Sequence, residues 1–325
     1  MKYRRLGSSG LKVSELSLGA WVTYGGQVGE DVAIECMSAA REAGVNFFDN
    51  AEAYAHGNAE LVMGNAIKKL GWRREDLVIS SKVFWGGRGP NDEGLSRKHI
   101  FEGCRNSLRR LQLEYLDLFF CHRSDPNTPI LETARAMDDL IHSGKVLYWG
   151  TSMWSRNEIR EASRLAEQYG LVPPQMEQPV YNLLQRDKVE VEYAPLYSKV
   201  GLGLTTWSPL ASGLLSGKYG KGIPSGSRGS LDNMKWFRES VLTPNNVDTV
   251  KQLEPVAKEL GCSMAQLSIA WCLRNTNVST VITGATTPRQ VKENMESAEL
   301  VDKLDSGVLR SISQVIEGKP QIESD

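Results

Sequence analysis

The chain is poor in cysteine and poorer in histidine, with five Cys and four His among 325 residues. The cysteines stand at 36, 104, 121, 262 and 272, make no CxxC and leave an odd count. Reduced thiols in a cytosol-like compartment are therefore expected, and a structural zinc site is not. Charge of neither sign is in excess: 38 Lys plus Arg against 39 Asp plus Glu give a net charge of −1. That balance argues against a nucleic-acid binder or a polybasic membrane anchor. No apolar run nears the roughly 20 residues that span a bilayer, so no membrane insertion is expected. The opening MKYRRLGSSGLKVS lacks the apolar stretch of a secretory signal, and a cytoplasmic protein is the expectation. There is no GxSxG elbow, no Walker lysine loop and no HExxH. Nor does G-x-G-x-x-G follow an early strand, which speaks against a doubly wound dinucleotide sheet.

What is present is ordinary globular composition, 41% hydrophobic and 24% charged, with no linker or low-complexity stretch. One domain over residues 1–325 is expected. Short apolar runs alternate with helical patterns, and strands are predicted at 14–20, 45–50, 77–83, 115–121, 146–152, 174–178, 203–208 and 279–284. All but the sixth are near-continuously apolar, as parallel strands buried on both faces should be. Asp31 is suited to cap a helix ending before Gly44, and a helix over 97–111 follows Ser96 with Ile100, Cys104, Leu108 and Leu111 on one stripe. Ser155 with Glu158, and Ser263 with Gln266, spell capping boxes, while Gly170 and Gly261 stand where helices stop. Eight such units point to an α/β protein, a (β/α)8 TIM barrel. The first residues read as an N-terminal β-hairpin that closes the barrel bottom. A Gly- and Ser-rich stretch at 216–246 reads as a long loop insertion after strand 7, and two helices fit before the eighth strand.

In a barrel the C-terminal strand ends form the active face. There the apolar runs break to Asp49 and Tyr54, Lys82, His122, Ser152, Gln178, Trp207 with Ser208, and Gly284. Singly each has a plain explanation: an Asp ending a strand usually caps a turn, a Lys is usually solvated, and a His is usually a satisfied core residue. Four such groups from three consecutive strands converging on one mouth are another matter. They suit proton transfer without metal or covalent nucleophile. A free phenol has a pKa of about 10, and a nearby ammonium favours its ionised form, so Lys82 is expected to draw Tyr54 toward the operating pH. Asp49 would hold Lys82, and His122 would donate to a substrate oxygen, making Tyr54 the acid for a carbonyl becoming an alkoxide. The hydride must then come from a nicotinamide. After Gly284, ATTPRQ enters a helix with Pro288 in its first turn, either a phosphate site or a plain cap of Thr287 with Gln290. Lys218 and Arg228 are either further phosphate clamps or solvated loop charges. Trp21, Trp85 and Trp207 suit an aromatic pocket and core packing equally. Cys121 beside His122 is not a nucleophilic pair, since neighbours on a strand face opposite ways.

Together FFDNAEAY, VISSKVFWGG, GLSRKHI, DPNTP, YWGTSMWS, TTWSPLASGLLSGKY and AWCLRN resemble the aldo-keto reductase superfamily over essentially the whole chain. The nearest likeness is to the branch holding the β-subunits of voltage-gated potassium channels and their plant and microbial relatives. The resemblance implies NADP(H) across the C-terminal face and a tetrad of Asp49, Tyr54, Lys82 and His122. It implies a nicotinamide region of Ala20, Trp21, Gln27, Asp49, Ser152 and Gln178. The pyrophosphate would follow Trp207, Ser208, Pro209, Leu210, Ala211 and Ser212. The 2′-phosphate end would meet Lys218, Arg228, Thr286 and Gln290, with Glu293 and Asn294 by the adenine. Three positions depart from relatives: His122 where channel subunits often have Asn, which favours turnover; Met153 where an Arg can stand, which removes a cofactor contact; and Ser124 in place of Pro, without evident chemical consequence. The expected activity is NADPH-dependent reduction of a small aldehyde or ketone. The alternative is a channel-associated redox sensor with slow turnover, against which the short segment before the hairpin counts. A homotetramer is the expected assembly.

Overall fold

The computed structural model describes residues 1–317 apart from 22, 23 and 27. Strands β1 (Tyr3–Arg5) and β2 (Lys12–Ser14) form the antiparallel hairpin, with Tyr3 opposite Ser14. Eight parallel strands then close a barrel: β3 (Leu16–Gly19), β4 (Phe47–Asp49), β5 (Val78–Val83), β6 (Leu116–Cys121), β7 (Val146–Thr151), β8 (Met176–Glu177), β9 (Gly203–Thr206) and β10 (Val278–Thr283), which pairs back onto β3. Around it lie α1 (Glu30–Glu42), α2 (Asn58–Leu70), α3 (Arg97–Leu111), α4 (Ile130–His142), α5 (Arg156–Tyr169), α6 (Ala194–Lys199), α7 (Pro244–Glu259), α8 (Met264–Arg274), α9 (Pro288–Met295) and α10 (Ser306–Ile316). The (β/α)8 barrel, its hairpin and the two helices before the last strand are as the sequence predicts. No described helix is long and apolar enough to cross a membrane.

Alternation along each strand positions the site. Successive side chains point to opposite faces. Phe47, Val78, Leu118, Phe120, Met176 and Ile282 point into the barrel, where Leu6 and Val13 of the hairpin region join them as a bottom plug. Phe48, Ile79, Phe119 and Cys121 face the helices and belong to the larger core. The inward series therefore runs from apolar to reactive within single strands: Phe47 to Asp49, Val78 through Ser80 to Lys82, Phe120 to His122, Met176 to Gln178. Cys121 lies wholly buried on the other face, and burial foremost, then Glu177, pushes its thiol well above the ordinary value.

Both capping boxes form, and α3 spans the predicted residues with Ser96 accepting from His99 N–H. One expectation needs correction and another gains detail. The residue before α1 is Gly29, with Asp31 inside the first turn, where its charge faces the helix dipole instead of capping a specific N–H. The predicted insertion at 216–246 is present and carries local order of its own. Short turns at Arg228–Ser230 and Asp232–Met234 and a wide turn at Phe237–Val241 fold it over buried Phe237 and Tyr219, and its last residues start α7. Aromatic burial, which a composition of Gly and Ser conceals, supplies its order.

Candidate active site

At the rim of β4 and β5, Lys82 Nζ lies 2.6 Å from Asp49 Oδ2 and donates to the Asn50 carbonyl at 2.8 Å and to the Tyr54 hydroxyl at 3.1 Å. All three protons of the ammonium are thus directed, and its side chain is fully buried. Asp49 is held from its other oxygen by Ser80 Oγ at 2.7 Å and Gln178 Nε2 at 3.0 Å. Tyr54 opens a tight turn in which Ala55 and His56 take left-handed backbone angles. Its ring meets His122 edge-on at 5.7 Å, and Trp85 meets His122 at 5.0 Å from another side. The four predicted groups, together with Trp85, occupy one cup.

Burial pulls Lys82 down, but Asp49 and Tyr54 outweigh it and hold the ammonium above the ordinary lysine value. For Tyr54 the sequence expectation fails in direction. Burial raises the phenol, Asp49 raises it further, and the lowering by Lys82 and Arg123 does not make up the difference. Tyr54 is therefore a protonated phenol at neutral pH, a proton donor in its resting form. His122 is held well below the usual imidazole value by burial, then by Lys82 and Arg123, and is neutral. Its Nδ1 is buried without a hydrogen-bond partner among the described residues. An N–H there would be an unsatisfied donor, so the tautomer carrying its proton on Nε2 is favoured.

Around the cup, buried Ala20 bonds through its N–H to the Asp49 carbonyl, and Trp21 stands edge-on to Trp207 at 5.8 Å. Ser152 Oγ donates to the Gln178 carbonyl at 2.9 Å. Gln27 lies outside the described residues. Met153 has a left-handed backbone at φ 61° and its thioether accepts from Val180 N–H.

The rim of β9 and β10 is built differently. Ser208, Ala211 and Ser212 all have positive φ, and Gly213 follows at φ 99°. A Cβ on Gly213 would sit 3.1 Å from Lys218 Nζ, so that ammonium lies directly over the turn formed by Leu210 to Gly213, which Pro209 enters. Half-buried Arg228 lies over the Trp21 ring at 5.2 Å; burial pulls its guanidinium pKa down. Among the described residues no carboxylate pairs with Lys218 or Arg228. At the start of α9, Thr287 Oγ1 accepts from Gln290 N–H, while Gln290 Oε1 accepts from both the N–H and the hydroxyl of Thr286. Asn294 Nδ2 donates to the Gly284 carbonyl at 3.3 Å, and Glu293 is exposed and faces Arg289. Two cations with no carboxylate partner among the described residues, one of them over a left-handed backbone turn, fit a polyphosphate.

A model of the aldo/keto reductase family matches residues 15–317, and the chain belongs to that family. Membership makes it an oxidoreductase of a kind that generally uses NAD(P)H. Among its relatives are proteins named probable voltage-gated potassium channel subunit beta from Oryza sativa subsp. japonica and from Arabidopsis thaliana. Each is 55% identical over 322 residues, covering 99% of this chain and 98% of the relative.

Sequence reasoning missed the groups that hold the cup together. Ser80 and Thr205 carry it through Asp49 and Gln178. Ser80 was legible in principle, since it lies two residues before Lys82 and shares its face. Ser124, for which no consequence was foreseen, bears on Glu158 of a capping box: burial raises that carboxyl, and Ser155 first, then Ser124, bring it below its ordinary value.

Proposed function

We propose that the chain is an NADPH-dependent reductase of aldehydes or ketones. The observation that carries this reading is a fully buried ammonium divided among Asp49, the Asn50 carbonyl and the Tyr54 hydroxyl, in a cup open beside neutral His122. When bound, NADPH would be the source of the hydride for the carbonyl carbon. The carbonyl oxygen sits between Tyr54 and His122, and the Nε2–H of His122 orients it. Tyr54 gives its proton to that oxygen as the alkoxide charge grows, and Lys82 stabilises the phenolate left behind. Asp49 keeps Lys82 charged through the cycle, and solvent restores the phenol. Lys218, Arg228, Thr286 and Gln290 would hold the 2′-phosphate, which would favour NADPH over NADH. The test is purified protein with NADPH and a panel of aromatic and aliphatic aldehydes, followed by nucleotide absorbance. No turnover with any carbonyl despite tight nucleotide binding would defeat the reading.

The plant relatives' printed names favour a second reading, a channel-associated subunit that holds NADP(H) as a redox sensor, in the cytoplasm and as a homotetramer. Co-purification with the cytoplasmic assembly domain of a potassium channel, and sedimentation at the mass of four chains, would support it; brisk turnover with no such association would remove it.

A further inference from the structure

Behind the substrate-facing wall lies a buried acid–imidazole pair that the proton relay does not use. Glu52 lies two residues before Tyr54, and His99 is in the first turn of α3. Their side chains are 3% and 5% exposed, and His99 Nε2 is 3.3 Å from Glu52 Oε1. The same Glu52 oxygen accepts the Phe84 N–H at 2.8 Å, and the Glu52 N–H donates to the Lys82 carbonyl at 3.2 Å. His99 Nδ1 lies 2.8 Å from the Gly94 carbonyl, and Gly94 N–H donates to the Phe84 carbonyl at 2.9 Å. Both ends of the 84–94 loop are therefore tied to this pair. Its backbone rests directly on it: a Cβ on Gly86 would be 2.6 Å from His99 Nε2 and 3.2 Å from Glu52 Oε2. The loop carries Trp85, whose ring packs on His122 and on Phe84.

The partners favour the protonated imidazole. A carbonyl oxygen at Nδ1 demands an N–H there, and a carboxylate at Nε2 demands a second. Protonated on both nitrogens, His99 faces the Glu52 carboxylate at ion-pair distance, 3.3 Å. Facing it are Glu52 from the loop after β4, and Asp92 with the Gly94 carbonyl from the 84–94 loop. Burial opposes the charge, but these partners prevail and raise the imidazole above its ordinary value.

We propose that Glu52 and His99 are positioning residues that set the Trp85 wall against His122 and so decide which carbonyl substituents the site admits, flat aromatic ones above all. The claim about substrates rests on the reductase reading; the claim about the loop does not. The sign of the pH dependence follows from the raised value. The bridge is complete below the ordinary imidazole range and is lost as pH rises through the raised pKa of His99.

The test uses full-length protein, His99→Gln and Glu52→Gln. Amide hydrogen exchange of the 84–94 segment, corrected for intrinsic rates, is followed from about pH 6 to about pH 10. Protection in the wild type should fall on the alkaline side, and both variants should show low protection without that step. With NADPH present, each variant should raise KM for a bulky aromatic aldehyde about tenfold more than for a small aliphatic one. An imidazole resonance of His99 in the wild type titrating below the free value would overturn the proposal without any variant. So would unchanged protection in whichever variant folds. A wild type inactive on every carbonyl refutes the reductase reading alone, and the exchange data still decide the positioning claim.

Discussion

The two halves of the barrel mouth are finished to different degrees. At the ends of β4 and β5, Asp49, Ser80, Lys82 and Tyr54, with Gln178 reaching across from the end of β8, satisfy one another at 2.6–3.1 Å around a fully buried ammonium. On the β9–β10 side, Lys218 over a left-handed turn and Arg228 over Trp21 stand without carboxylate partners among the described residues. On the proposed function, the difference is a division of labour. Proton chemistry needs groups whose positions and charges are set before the substrate arrives, because reorganising them during reaction is costly. An anion-binding surface gains most when its charges are left for the ligand to neutralise.

The comparison breaks most visibly on the proton side. Lys82→Met should lower kcat for carbonyl reduction by about 10²–10⁴-fold, with nucleotide binding little changed in a fluorescence titration. Asp49→Asn leaves the Lys82 ammonium buried without its carboxylate and should cost about 3–5 kcal/mol in urea unfolding. On the open side the pattern reverses. Arg228→Ala should weaken NADPH binding by about 10–100-fold, the worth of a charge-assisted contact, and NADH binding much less. Equal losses for both nucleotides would place Arg228 elsewhere. The pH profile sharpens the contrast: Tyr54 and Lys82 are both held above their ordinary values. Reduction should therefore stay flat through neutral pH and fall only as pH rises past about 10, where the phenol loses its proton. Smallest is Thr287→Ala, which removes the cap of α9 and should cost about 1 kcal/mol in thermal or urea unfolding.

Much of this was legible before any coordinates. Continuous apolar runs between capping boxes gave parallel strands, and the break from apolar to reactive at Asp49, Lys82 and His122 marked the mouth. Three things were not. The direction of the Tyr54 shift depends on how far burial and Asp49 offset Lys82, which spacing does not reveal. The order of the 216–246 segment comes from Tyr219 and Phe237 meeting across it, a contact hidden among glycines and serines. Glu52 and His99 are 47 positions apart in sequence, on segments with no shared motif, and only the closed barrel brings them together.

The most direct measurement is a single turnover of saturating NADPH with an aromatic aldehyde, comparing the wild type with Tyr54→Phe. The account predicts nucleotide oxidation in the wild type and a rate at least about 100-fold lower in the variant, with NADPH still bound. Oxidation at an undiminished rate in Tyr54→Phe would contradict it.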